Sequence, residues 1–193
     1  MQLVKYLSKH PKKYLIFDFD ETIAEIQIDW SQYRTQMAKV FAQFDPNFHQ
    51  RIDFHSHDDF NEFVIEYGEE AVVLIKKANQ KYEREMSSGF KPNPEIIEFI
   101  KQADEYSKFI YSSNSRASVE KGLKELGISD DFKSLVTRDD VSYIKPDPEG
   151  FLLIYDPNTP KEDYLMIGNS HSDKDMAKAA GIDFYLVEYF RPI

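Results

Sequence analysis

The chain has 193 residues, 41% of them hydrophobic and 30% charged, with 15 Phe and 12 Tyr. That is enough for one generous folded domain, or for a core carrying a modest insertion. Acidic residues outnumber basic ones 34 to 24, and the formal charge of −10 argues against a nucleic-acid or anionic-membrane partner, either of which calls for a basic face. Without cysteine, disulfides, thiolate metal sites and a cysteine nucleophile are excluded, so any metal must sit on oxygen or imidazole. Neither a signal-peptide core at the N-terminus nor an apolar run of about 18 residues is present, from which a cytoplasmic location is expected.

In chain order, the apolar run 14–17 ends abruptly in acidic residues, as a buried strand does when it delivers side chains to a sheet edge. Trp30, Tyr33, Met37, Val40, Phe41 and Phe44 recur at helical steps until Asp45 and Pro46 stop them. Further helices are expected over 59–67 and 70–86, so that 25–88 reads as an all-helical insertion. Ser87, Ser88 and Gly89 loosen the chain, and Pro92 and Pro94 lead into a helix over 95–103. Beyond it strands near 108–112, 134–136, 164–167 and 184–187 alternate with helices over 117–126, 148–155 and 173–180. Alternation of this kind implies a parallel sheet covered on both faces.

Four segments carry candidate chemistry, each at or just past the end of an expected strand, where open parallel sheets bind ligands. Asp18-Phe19-Asp20-Glu21-Thr22 puts two carboxylates one residue apart, so that one can attack while the other manages a proton or a metal. Ser112 and Ser113 offer hydroxyls, followed through Asn114 by helix N-terminal amides, a receptor for phosphate oxygens. Lys145 stands beside Pro146 and ahead of Pro148, a stiff approach that can hold a lysine inward as a point charge. Asn169 and Asp173 lie four residues apart on a strand-to-helix loop and suit a hard cation such as Mg2+. Taken singly, the seryl stretch reads better as an ordinary helix cap, Lys145 as a solvated surface group, and Asp173 also reads as a helix cap.

As an ordered set, FDFDET, the seryl stretch, IKPDP and IGNSHSD resemble the four motifs of the haloacid dehalogenase superfamily, over almost the whole chain. The resemblance implies an α/β fold: a Rossmann-like, three-layer α/β/α core with a parallel sheet, formed by 1–24 and 89–193, and a helical cap over 25–88. It implies a Mg2+-dependent phosphatase in which Asp18 is the nucleophile and Asp20 the general acid and base. Ser112 or Ser113 would bind the phosphoryl oxygens beside Asn114, and Lys145 would screen Asp18. Asp18, Asp20, Asn169 and Asp173 would form the magnesium site. The expected partner is a small phosphorylated substrate, with no nucleic acid and no membrane.

Two positions depart from the pattern. Asn169 stands where relatives usually carry Asp, removing a charge from the metal site, and Glu21 stands where many capped relatives carry Gly. A phosphomutase on the same fold is a second reading, and a ligand-binding relative with weakened catalysis a third. Substrate selection is expected from the cap, with Arg34, Lys39, His49, Arg51, His55 and His57 as polar candidates. The His55–His57 stretch reads as a polar loop, and the aromatic stripe from Trp30 as packing.

Overall fold

The computed structural model describes residues 2–47 and 57–190, with the backbone alone at 57 and 58. Helix α1 (Gln2–Lys9) buries Leu3 and Leu7, one turn apart on one face. Strand β1 (Tyr14–Phe17) follows, then β2 (Ala24–Ile28), α2 (Trp30–Phe41), α3 (His57–Met86) and β3 (Ser87–Pro92). The second half runs α4 (Pro94–Gln102), β4 (Ser107–Tyr111), α5 (Arg116–Leu126), β5 (Ser134–Val136), α6 (Glu149–Leu152), β6 (Tyr164–Gly168), α7 (His171–Ala180) and β7 (Asp183–Leu186).

Strands β1, β4, β5, β6 and β7 form one sheet in the order β5-β4-β1-β6-β7, and every pairing in it is parallel. Side chains alternate across a strand, and both faces here are covered. Leu15 and Phe17 enter the apolar cluster under α1, α4 and α5, whereas Ile16 enters the opposite cluster with Tyr111, Met166 and the helical insertion. This two-sided burial explains the unbroken apolar run in β1. Each such side chain contributes about 1.5–3 kcal/mol by leaving water. Topologically the chain builds outward from β1 through β4 to β5, then crosses to β6 and β7. The crevice between those two halves, at the carboxyl ends of β1 and its neighbours, is where a ligand site belongs.

The insertion is not all helical. Its two ends, β2 and β3, pair antiparallel as a separate ribbon, with Ile26 opposite Phe90. Ser87 to Gly89, expected as a loose connection, is therefore the start of a strand. The alternation of Ala24, Ile26 and Ile28 with Glu25 and Gln27 is the period-two signal for it. Within α3 the two helices expected over 59–67 and 70–86 are both present, meeting at a kink at Gly68, whose backbone is non-helical with a positive φ of 71°. There a residue with a side chain would be strained. Edge-to-face contacts of Phe63 with Phe41 and Phe44 knit α2 to α3, so the aromatic stripe is packing for Phe41 and Phe44.

Other boundaries shift slightly. The helix expected over 148–155 shortens to α6. Helix α7 begins at His171, because Ser170 caps it and Asp173 completes a reciprocal capping box. Helix α5 ends, as expected, at Gly127, whose φ of 64° suits a left-handed cap. Among the described residues no helix is long and apolar enough to cross a membrane.

Candidate active site

At the end of β1 the ladder continues one residue further, because Asp18 N–H donates to the Ile167 carbonyl at 2.9 Å. The chain then turns tightly: the amides of Thr22, Ile23 and Ala24 all point at the Phe19 carbonyl. Phe19 is buried against Gly122, where a Cβ would come within 2.3 Å of the ring. Asp18 and Asp20 are thereby fixed on either side of an anchored aromatic ring. Glu21 takes the left-handed conformation, φ 55°, which costs a non-glycine residue roughly 1–2 kcal/mol.

Lys145 is almost wholly buried, and its ammonium donates to Asp18 Oδ1 at 2.7 Å, Asp173 Oδ1 at 2.5 Å and the Tyr111 carbonyl at 3.0 Å. Three donor hydrogens meet three acceptors, so the buried charge is fully satisfied. Asp173 approaches this closely because residue 168 is glycine; a Cβ there would sit 2.5 Å from the Asp173 carboxyl carbon. The other Asp173 oxygen accepts from Ser170 N–H and Oγ–H. Asp173 is fully buried beneath the cleft, its two oxygens spent on Lys145 and Ser170.

The cleft above encloses about 350 Å³ and is lined by Asp18, Asp20, Glu21, Ser113, Asn114, Lys145 and Asn169 from the core, with Trp30, Tyr33, Arg34, Phe60 and Glu83 from the insertion. Burial pushes the Asp18 carboxyl up to about 6, even against the opposing pull of Lys145. For Lys145, burial alone would lower the pKa, but the charges of Asp173 and Asp18 outweigh it and hold it above the ordinary value. Asp20 accepts from Ile26 N–H at 2.7 Å. Desolvation nonetheless raises it well above the usual carboxylate range, assisted by the charges of Asp18, Glu21 and Glu83.

The two adjacent serines differ. Ser112 is fully buried, its Oγ shared with Asn114. Ser113 lines the cleft, and its Oγ has no hydrogen-bond partner among the described residues. The two residues that depart from the motif pattern meet in space: Asn169 Nδ2 donates to Glu21 Oε2 at 3.0 Å. Asn169 Oδ1 faces the Thr22 hydroxyl at 3.4 Å.

Of the cap candidates, Arg34 lines the cleft and Lys39 is exposed beside Gln36. His49, Arg51, His55 and the His57 side chain lie outside the described residues. Glu83 and Arg138 were not singled out in the sequence. Glu83, on α3, accepts from Ser115 N–H at 2.9 Å, Ser115 Oγ–H at 2.6 Å and Asn114 Nδ2 at 3.4 Å, joining the insertion to the loop after β4. A charged residue four positions after buried Asn79 and eight after Ile75, on the apolar face of α3, was the available signal. Nothing in the sequence marks Arg138.

A profile of the family described as "Haloacid dehalogenase-like hydrolase" matches residues 15–187. The chain belongs to this family. Among curated relatives, pyrophosphatase PpaX of Bacillus mycoides is 29% identical over 118 residues, 61% of this chain and 54% of that protein. The chain thus spans about half the length of that relative. PpaX of Bacillus thuringiensis is also 29% identical, over 82% of this chain and 75% of the relative. Among solved structures, a haloacid dehalogenase-like protein from Bacteroides fragilis superimposes with a TM-score of 0.64 at 22% identity, covering 92% of this chain and 88% of its own. YfnB from Bacillus subtilis, crystallised with magnesium, gives 0.58 at 19% identity, covering 94% and 90%. These likenesses establish the parallel α/β fold.

Proposed function

We propose that the chain is a Mg2+-dependent phosphatase that cleaves a small phosphorylated substrate through an aspartyl-phosphate on Asp18. The observation that carries this reading is the Lys145 node. It holds Asp18 by one carboxylate oxygen at the end of the central strand, facing a cleft that also presents the partnerless Ser113 hydroxyl. A nucleophile screened by a buried ammonium, beside an empty hydrogen-bonding valence, is what an incoming phosphoryl anion requires.

In the first step Asp18 attacks phosphorus and the bond to the leaving oxygen breaks, while Asp20 gives that oxygen its proton. The raised Asp20 carboxyl favours the protonated form this needs. In the second step Asp20 takes a proton from water, the water oxygen attacks phosphorus, and the bond to Asp18 breaks. Ser113 rather than Ser112 would bind a phosphoryl oxygen, because the Ser112 hydroxyl is already engaged.

The residues present fit a magnesium ion of hard, oxygen-rich coordination. Among the described residues no three His, Cys, Asp or Glu side chains converge as a metal cluster, so a mixed set would hold the ion. The Asp18 carboxylate, the Asp20 carbonyl and the Asn169 amide oxygen would supply it, with water completing the shell. A bound magnesium neutralises charge on the transferring phosphoryl group. Asp173 would act through Lys145, since its oxygens are occupied below the cleft. Crystallised YfnB holds the same ion, and the relatives' name makes inorganic pyrophosphate the first substrate to try.

Release of phosphate from an aryl phosphate and from pyrophosphate, with Mg2+ and with chelator, tests the reading. Hydrolysis that Mg2+ supports and chelator removes is expected. Metal-independent hydrolysis of equal rate would remove the magnesium, and no hydrolysis of any phosphate ester or anhydride would remove the phosphatase.

A further inference from the structure

Arg138 carries a permanent charge in a place where little answers it. The residue is 6% exposed, follows β5, and lines the cleft. Its backbone N–H donates to the Asn114 carbonyl at 3.2 Å and its Nε–H to the Ser113 carbonyl at 2.6 Å, so it is pinned against the loop that presents the Ser113 hydroxyl. The guanidinium lies over the Phe60 ring at 5.0 Å. Nη1, however, is buried without any hydrogen-bond partner among the described residues. On its other side the residue borders a small cavity walled largely by Val64, Val72, Ile75 and Ile144, an apolar setting for a cation.

A guanidinium does not lose its proton in a protein, and leaving a buried charge unpaired is strongly unfavourable. A counter-charge that shares the cleft is Glu83, which Arg138 stabilises through space. Glu83 already has three donors of its own, all from Asn114 and Ser115. The arrangement therefore has an unfilled anion-binding valence next to Ser113. A planar guanidinium prefers a phosphate or carboxylate, which it can take bidentately. Arg34, half-buried on α2, adds a second cation to the same cleft from the insertion side.

We infer that Arg138 binds an anionic leaving group, so that the substrate carries a second negative group, phosphate or carboxylate, close to the phosphoryl transferred to Asp18. This rests on the phosphatase reading for the position of the transferred group. The alternative is that Arg138 is only a strut for the Ser113 and Asn114 carbonyls, which would affect every substrate alike.

The test compares wild type with Arg138→Gln and Arg138→Lys on three substrates: pyrophosphate, a phosphorylated hydroxy acid, and p-nitrophenyl phosphate, whose leaving group has no second charged acid. In Arg138→Gln the preference in kcat/KM for the anionic substrates over the aryl phosphate is expected to fall at least about tenfold, mainly through KM, with Arg138→Lys intermediate. A loss confined to pyrophosphate names phosphate as the recognised group; a loss confined to the hydroxy acid names carboxylate. An equal fall on all three substrates, or no fall, overturns the inference.

Calorimetric binding of methylenediphosphonate and methylphosphonate to wild-type protein keeps the test independent of turnover and of the folding of either variant. Tighter binding of the diphosphonate in a protein that hydrolyses nothing would sink the phosphatase reading and leave the anion subsite standing. Equal binding of the two would sink the subsite, whatever the activity.

Discussion

The floor and the roof of the cleft are built on opposite principles. In the floor, Lys145, Asp18, Asp173 and Ser170 satisfy one another almost completely. Nothing there can shift without leaving a buried charge alone. In the roof and side wall, Arg138, on the core turn after β5, keeps an unused donor, and Arg34 is half-buried on the insertion that Glu83 helps join to the core. A saturated network fixes geometry and suits steps common to every substrate. An unsaturated one leaves valences for what differs between substrates. Chemistry belongs to the floor in this account and selection to the wall.

The comparison breaks most visibly at the nucleophile. Asp18→Asn is expected to lower turnover of any phosphate substrate by at least about 10⁴-fold with a near-native fold, checked by phosphate release and circular dichroism. Survival of much of the activity would detach the chemistry from the floor. Lys145→Met should act on stability as well as on rate. It strands two buried carboxylates, and breaking a pair of this kind costs about 3–5 kcal/mol. Urea unfolding reads that loss, and a change below about 1 kcal/mol would mean the node is less tightly coupled than its distances imply.

Much of this floor was legible in the sequence, because Asp18, Ser170 and Asp173 sit at or just past the ends of strands of strong apolar period. Lys145, by contrast, lies nine residues beyond β5 in the loop before α6 and is marked only by its flanking prolines. Asp18 follows an uninterrupted apolar run, and Asp173 occupies the N3 position of a capping box that Ser170 announces. The wall was not legible to the same degree. Arg138 lies in a short 3-10 turn after a three-residue strand, too brief for periodicity to aim its side chain. Glu83 stands on a long helix whose inward face is defined only once α2 packs on it. In the β2–β3 ribbon, β2 carries its own period-two pattern, whereas β3, beginning Ser87-Ser88-Gly89, does not and is a strand only through pairing with residues 65 positions or so away in the chain. Helix α1 was missed because eight residues carry only two buried positions.

Between floor and wall, Glu83→Gln sharpens the contrast. The amide oxygen can still accept from the Ser115 amide and hydroxyl, but its NH2 then faces the Asn114 Nδ2 donor that Glu83 Oε1 had accepted, and a loss of about 1–3 kcal/mol is expected from the unmatched donors. The loss should be local, seen as faster hydrogen exchange in α2 and α3 while the central strands keep their protection. Uniformly faster exchange would place Glu83 in the global core instead. The smallest expected effect concerns the Glu21–Asn169 contact. Asn169→Asp alone should tighten Mg2+ little, because the new carboxylate faces Glu21 Oε2 where the amide had donated. Combined with Glu21→Gly, which also relieves the left-handed backbone at residue 21, Mg2+ affinity should rise by about 1 kcal/mol after solvent screening. Titration calorimetry of the two variants decides it, and a large gain in the single variant would mean that the contact does not persist when metal is bound.

The covalent step on Asp18 is tested most directly in Asp20→Asn mixed with an activated aryl phosphate, whose leaving group needs no proton. Phosphorylation can then proceed while water attack stalls for want of a base. A burst of about one phenol per protein is predicted, followed by arrest, with one phosphoryl group found by mass spectrometry on the peptide containing Asp18. Steady turnover in that variant with no burst and no modified peptide would contradict the account.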